Sequence, residues 1–301
     1  MHRDQRDRNS KREEQTVILD KSFVRGASGK QVREICENYR ALMPEDLLFE
    51  LLHSDEETKK KCFAKFPAKS NPVGLLPPAG VLIRYENENR TPATPIWNHR
   101  LDKDFQWHFN DKLALGEFAM THQQLEAVRK WEEDLAVATA MFAERAKAII
   151  KVFPVLEGFR PGQDRKKIEE VLSHTTSKMG EVRRFYKWVA PEGFAPAPIV
   201  GRTWTVFRYM QVHLFADVEF LAKYGVDVNR PNQEILENER ADLNYLLLSI
   251  LAGGLASDDK AMKRRFKSLC PRGLLIEVER GNHATKPKKI KWVAGYCLQA
   301  R

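Results

Sequence analysis

With 301 residues, 43% of them hydrophobic and 10% aromatic, the chain can build one large domain or two ordinary ones, and a wholly disordered polymer is excluded. It has no apolar run of the roughly 18 residues a spanning helix needs, and MHRDQRDRNSKREEQ lacks an apolar h-region, so neither a membrane protein nor a secretory leader is expected. The net charge of +9, with Cys36, Cys62, Cys270 and Cys297 far apart and no C-x-x-C spacing, points to a reducing, cytoplasmic setting and an acidic or polyanionic partner.

Residues 1–14 carry alternating charges and are expected to form a solvated tail. TVILD (16–20) is a β-branched apolar run ending at an acid, the pattern of a buried parallel strand. A turn through Gly26 and Gly29 should follow, then a helix over 30–42 with Val32, Ile35, Cys36, Tyr39 and Leu42 on its inner face. That face makes Cys36 a core residue. GASGK lacks the spacing of a phosphate-binding P-loop. Pro44 opens a second helix, in which Leu47, Leu48, Leu51 and Leu52 face inward and Glu50 lies one turn after Asp46.

Residues 60–110 are proline-rich and mixed. Helices are expected over 121–152, 164–189 and 203–224, with a rigid break at APEGFAPAPIVG (190–201). No histidine in this middle region has H-x-H or H-E-x-x-H spacing, which argues against zinc. The next expected helix, 235–251, places Glu239 and Asp242 three residues apart on one side. Gly253 and Gly254 stop it, a very short strand follows at 255–257, and LLIEV (274–278) and KWVAGYCL (291–298) complete the expected strands.

Charge is segregated at this end. From Pro231 to Asp259 six acids face one arginine, whereas from Lys260 to Arg301 twelve Lys or Arg face two acids. In GGLASDDKAMKRRF (253–266), Asp258 and Asp259 sit where the balance flips. A helix cap explains Asp259 alone. An acidic block joined to a basic one is also what a metal-dependent site acting on phosphates requires.

ILDKS (18–22), FELL (49–52) and ADLNYLLLSILAGGLASDDK (241–260) together resemble the PIN-like nuclease family. Its first strand ends in an acid followed by a hydroxyl, a helix then carries a Glu, a later helix opens near an Asp, and another strand ends in Ser-x-Asp. The resemblance covers roughly 15–55 and 235–280. It implies an α/β fold, a PIN-like parallel-sheet sandwich with helices on both faces, interrupted by a large mainly helical insertion. The expected division is a tail over 1–14, an α/β domain from 15–58 and 226–301, and an insertion or lid over 59–225. Carried over position by position, Asp20, Glu50, Asp242 and Asp259 are the expected catalytic carboxylates and metal ligands. Asp258 is a lesser ligand, with Ser22, Ser257 and Glu239 in support.

Converging carboxylates raise one another's pKa unless a cation lies among them, and oxygen-only ligands suit Mg²⁺ or Mn²⁺. The implied reaction is hydrolysis of a phosphodiester by metal-activated water, with RNA favoured over DNA. Lys260, Lys263, Arg264, Arg265, Lys267, Lys288, Lys289 and Lys291 are the expected nucleic-acid contacts. Two further readings stay open. One is a non-catalytic nucleic-acid-binding or scaffold protein; the other is a toxin or defence effector held down by a regulatory protein on the helical insertion.

Overall fold

The structure is a computed structural model that describes residues 15–69, 71–101, 165–189, 199–224 and 233–279, together with part of 121–157. The charged tail, the expected strand at 291–298 and Lys288, Lys289 and Lys291 lie outside the described residues. The fold is α/β, with one five-stranded sheet in which every pairing is parallel. Its strands are β1 (Thr16–Leu19), β2 (Arg40–Pro44), β3 (Gly74–Leu76), β4 (Gly254–Ala256) and β5 (Leu274–Ile276), in the order β3-β2-β1-β4-β5. The chain divides into two compact units. One takes its described residues from 15–78, 95–101 and 248–279; the other takes them from 79–94 and 121–247.

The first unit holds the sheet. Every residue of β1 is buried, as its unbroken apolar run requires of a strand with neighbours on both sides. Four helices connect β1, β2 and β3: α1 (Lys21–Gly26), α2 (Gly29–Asn38), α3 (Glu45–His53) and α4 (Glu56–Phe63). The expected turn after Asp20 is thus a short helix, and α2 is closed at its start by a capping box between Ser28 and Gln31.

The helix expected over 30–42 ends at Asn38, and Arg40–Pro44 is a strand. Leu42 satisfies both the helical and the extended pattern, so local periodicity could not separate them. Pairing with β1 decided the matter, through Val17 opposite Ala41 and Ile18 opposite Leu42. β3, in the proline-rich stretch, has only three residues, too few to show a period.

Gly254 is the tightest point of the sheet. A Cβ placed there would lie 2.3 Å from the carbonyl oxygen of Thr16, a backbone atom that cannot swing aside. Gly254→Ala is therefore expected to cost about 3 kcal/mol or more, by overpacking between two central strands. Urea unfolding followed by circular dichroism would check this, and an unchanged midpoint would contradict it.

The second unit is helical. It contains α5 (Ala79–Asn89), α6 (Arg165–Ser177), α7 (Met179–Val189), α8 (Thr205–Tyr224) and most of α9 (Gln233–Ala252), and every residue described between 122 and 148 is helical. The single helix expected over 164–189 is two, broken at Lys178. α8 is buried on nearly all sides, so its polar residues must find partners inside. Glu86, wholly buried, accepts backbone N–H bonds from Ala93, Thr205 and Val206, and thereby caps the start of α8. Gln211 donates to the carbonyl of Thr176 at 2.7 Å, and Arg208 donates to Gln211 at 2.8 Å. No helix among the described residues is long and apolar enough to cross a membrane.

Candidate active site at the carboxyl edge of the sheet

The direction of strand addition reverses at β1, because β2 and β3 lie to one side and β4 and β5 to the other. In open α/β sheets, ligands bind outside the carboxyl ends of the strands at such a reversal. Asp20 follows β1 directly, and its N–H donates to the carbonyl of Ala256, the last residue of β4, at 3.0 Å. Its carboxylate is buried, and Oδ2 accepts from Ser22 Oγ at 2.5 Å and Ser257 Oγ at 2.6 Å. The two hydroxyl oxygens lie 3.2 Å apart. Ser22 Oγ also accepts the N–H groups of Asp258 and Asp259, at 2.9 and 3.0 Å, and Ser257 Oγ accepts from Asp259 N at 3.1 Å. The strand ends of β1 and β4 are thus laced together through two serines.

Asp259 does two things. Its Oδ1 accepts from Met262 N at 2.6 Å, so it is the N-cap of α10 (Lys260–Leu269), as the plain helix-start reading requires. It also lies near enough to Asp20 to act on its charge. Burial, foremost, pushes the Asp20 carboxyl above its ordinary 3.8; Asp259 adds to that, and the serine hydrogen bonds oppose it. A divalent cation at this oxygen-lined edge would offset the cost of keeping Asp20 charged beside Asp259.

The other expected acids stand differently. Glu50, near the end of α3, is paired with Lys21 Nζ at 3.0 Å. Lys21 adjoins Asp20, so it brings Glu50 to the same edge with its carboxylate already engaged by a cation. Glu239 and Asp242 lie on α9 in the second unit, half-buried and each with a partner. Among the described residues, no three His, Cys, Asp or Glu side chains cluster so that they could hold one metal ion.

The basic residues after Asp259 are largely engaged as well. Lys263 pairs with Glu277 at 2.8 Å, Arg265 is buried, and Lys267 donates to the carbonyl of Gly273 at 2.9 Å. Lys260 and Arg264 are exposed.

Sequence reasoning passed over Lys21, Glu45 and Asp46. The two acids follow β2 just as Asp20 follows β1. The signal was there in ALMPED, an apolar run followed by acids, and became legible once 40–44 is a strand. Burial, then Asp46, raises the Glu45 carboxyl from 4.5 to about 7. An acid whose folded pKa is raised binds more protons folded than unfolded, so its ionisation removes stability as pH climbs from 4.5 through about 7. That interval corresponds to about 3 kcal/mol. Glu45→Gln should therefore be more stable than the native chain at pH 8 and nearly equal to it at pH 4.5. Urea midpoints at the two pH values test this, and equal gains at both would refute it.

Cys36 is half-buried and burial pushes its thiol up to about 12, while Cys62 and Cys270 are buried and unbridged, so none of the three is a poised nucleophile. No family model matches the chain, and no curated protein or solved structure is significantly similar to it.

Proposed function

We propose that the chain is a metal-dependent nuclease with a PIN-like arrangement of its sheet, hydrolysing phosphodiester bonds at the carboxyl edge of β1 and β4. One observation carries the reading. Two strand-end acids, Asp20 and Asp259, are brought to one edge and held by the shared hydroxyls of Ser22 and Ser257. Asp20 and Asp259 would hold Mg²⁺ or Mn²⁺, with Asp258 beside them. When bound, the metal supplies charge stabilisation and a water of lowered pKa. Ser22 and Ser257 fix the orientation of the Asp20 carboxylate. Lys21 holds Glu50 at the margin of the site, from which an exchange of partners would bring a third carboxylate to the metal. The family resemblance implies a catalytic, metal-binding role for Asp242 and a supporting one for Glu239, and RNA is the preferred substrate on the same ground.

The test is cleavage of end-labelled single-stranded RNA and DNA of matched sequence with Mg²⁺, with Mn²⁺ and with chelator. Cutting that requires the metal is the expected result. Cutting undiminished by chelator would sink the reading. The pairing of Glu50 with Lys21 favours a second one, a nucleic-acid-binding protein that keeps the fold without chemistry. In that case all three conditions leave the substrates intact while salt-sensitive binding persists.

A further inference from the structure

The basic helix after Asp259 spends most of its charge on its own unit, so a polyanion drawn to this edge needs other cations. They occur at the junction of α1 and α4. Lys65 Nζ donates to the carbonyls of Val24 and Arg25 at 2.7 and 2.8 Å. These carbonyls end α1, where the helix dipole favours a cation, and the two bonds tie the end of α1 to the chain leaving α4. Lys65, Arg25, Lys61 and Lys21, in that order, oppose the upward push of burial on the Cys62 thiol, so each of these charges is felt there. Arg25, Lys60 and Lys61 are exposed, and among the described residues no carboxylate pairs with any of them.

This surface abuts the candidate site. A Cβ on Gly26, the residue after Arg25, would lie 3.5 Å from Asp258 Oδ2. We propose that Arg25 and Lys61, with Lys65 tying the end of α1 to the chain leaving α4, form the track on which the phosphodiester backbone of a nucleic acid lies beside Asp20 and Asp259, an inference that rests on the reading above for its substrate class. The surface suits phosphates better than a protein partner. Protein interfaces have apolar centres depleted in lysine, and the large exposed apolar residues among those described (Val81, Tyr85, Leu125, Val137, Trp188 and Ile199) belong to the other unit. Lys and Arg neutralise phosphates one by one and release counterions, which makes such binding salt-dependent.

The experiment is fluorescence anisotropy of a labelled single-stranded RNA with the full chain in chelator, across a range of salt concentrations. It compares the native protein, the double variant Arg25→Gln/Lys61→Gln, and Lys130→Gln as an exposed control in the other unit. The double variant should bind about tenfold more weakly or worse, with the log–log salt slope shallower by about 1.4, the share of two phosphate contacts on a single strand. The control should match the native chain. Native affinity and slope in the double variant would overturn the proposal, as would native protein that shows no salt-dependent binding. If the native chain binds through this patch yet cleaves nothing under any metal condition, the hydrolytic reading fails and the track stands.

Discussion

Asp20→Asn is expected to lower metal-dependent cleavage by at least about 10³-fold while leaving the fold intact. Several kilocalories per mole of transition-state stabilisation come from a metal held by carboxylates, and about 4 kcal/mol corresponds to three orders of magnitude in rate. The substitution is nearly isosteric and exchanges a carboxylate oxygen for an amide nitrogen, so it removes charge without opening a cavity. It also relieves a cost. Burial already disfavours the charged form of Asp20, and Asp259 adds to that, so in the absence of metal the variant should be no less stable than the native chain. Lower activity with equal or higher stability separates a catalytic acid from a structural one. Asp259→Asn should lose activity to a similar degree; its amide oxygen can still cap Met262 N, but losing the negative charge at the start of α10 should cost up to about 1 kcal/mol of stability. The measurements are single-turnover cleavage rates with Mn²⁺, and urea unfolding with chelator. Wild-type rates in both variants would remove this edge from consideration as the active site.

The second large effect is expected in the helical unit. Asp217 is wholly buried and accepts a two-pronged contact from Arg145, Nε at 2.8 Å and Nη2 at 2.9 Å. Arg145 Nη2 also lies 2.7 Å from His213 Nδ1, and the Tyr209 and His213 rings meet at a tilt of 50° with centroids 4.1 Å apart. Burial first, then Arg145 and Arg240, hold the His213 ring well below the ordinary histidine range. The ring is therefore neutral, Nδ1 accepts from the guanidinium, and the proton sits on Nε2. Asp217→Ala would leave the Arg145 charge inside with only neutral acceptors, at a cost of about 3–5 kcal/mol. Arg145→Leu/Asp217→Leu removes both charges and should recover most of that loss, because well-packed apolar residues often replace a buried ion pair at little cost. A double-mutant cycle of urea unfolding checks both statements. A single substitution costing under about 1 kcal/mol would mean that the pair is solvated and carries little of the unit's stability.

The strand ends of the candidate site were legible locally. TVILD and GLASDD each show an apolar run that ends at an acid, and both positions lie at the carboxyl edge of the sheet. Asp259 was legible as a helix cap, because a short polar side chain before KAMKRRF has that function whatever surrounds it. Leu42, by contrast, fits two periods, so β2 stayed hidden and Glu45 and Asp46 passed for ordinary first-turn acids.

What only the tertiary structure decided is who meets whom. Asp20 and Ser257 are hydrogen-bonded across 237 positions of chain, through parallel pairing that no local pattern encodes. The same is true of Lys21 with Glu50, Lys65 with the end of α1, and Arg145 with Asp217. Composition and periodicity determined that this chain is basic and that apolar, strand-like runs such as TVILD end at acids, since these follow from each residue's preference for water, strand or cap. Which acids are paired away, which share an edge, and which cations stay unneutralised beside them depend on distances between remote residues. Those distances arise only when the sheet closes.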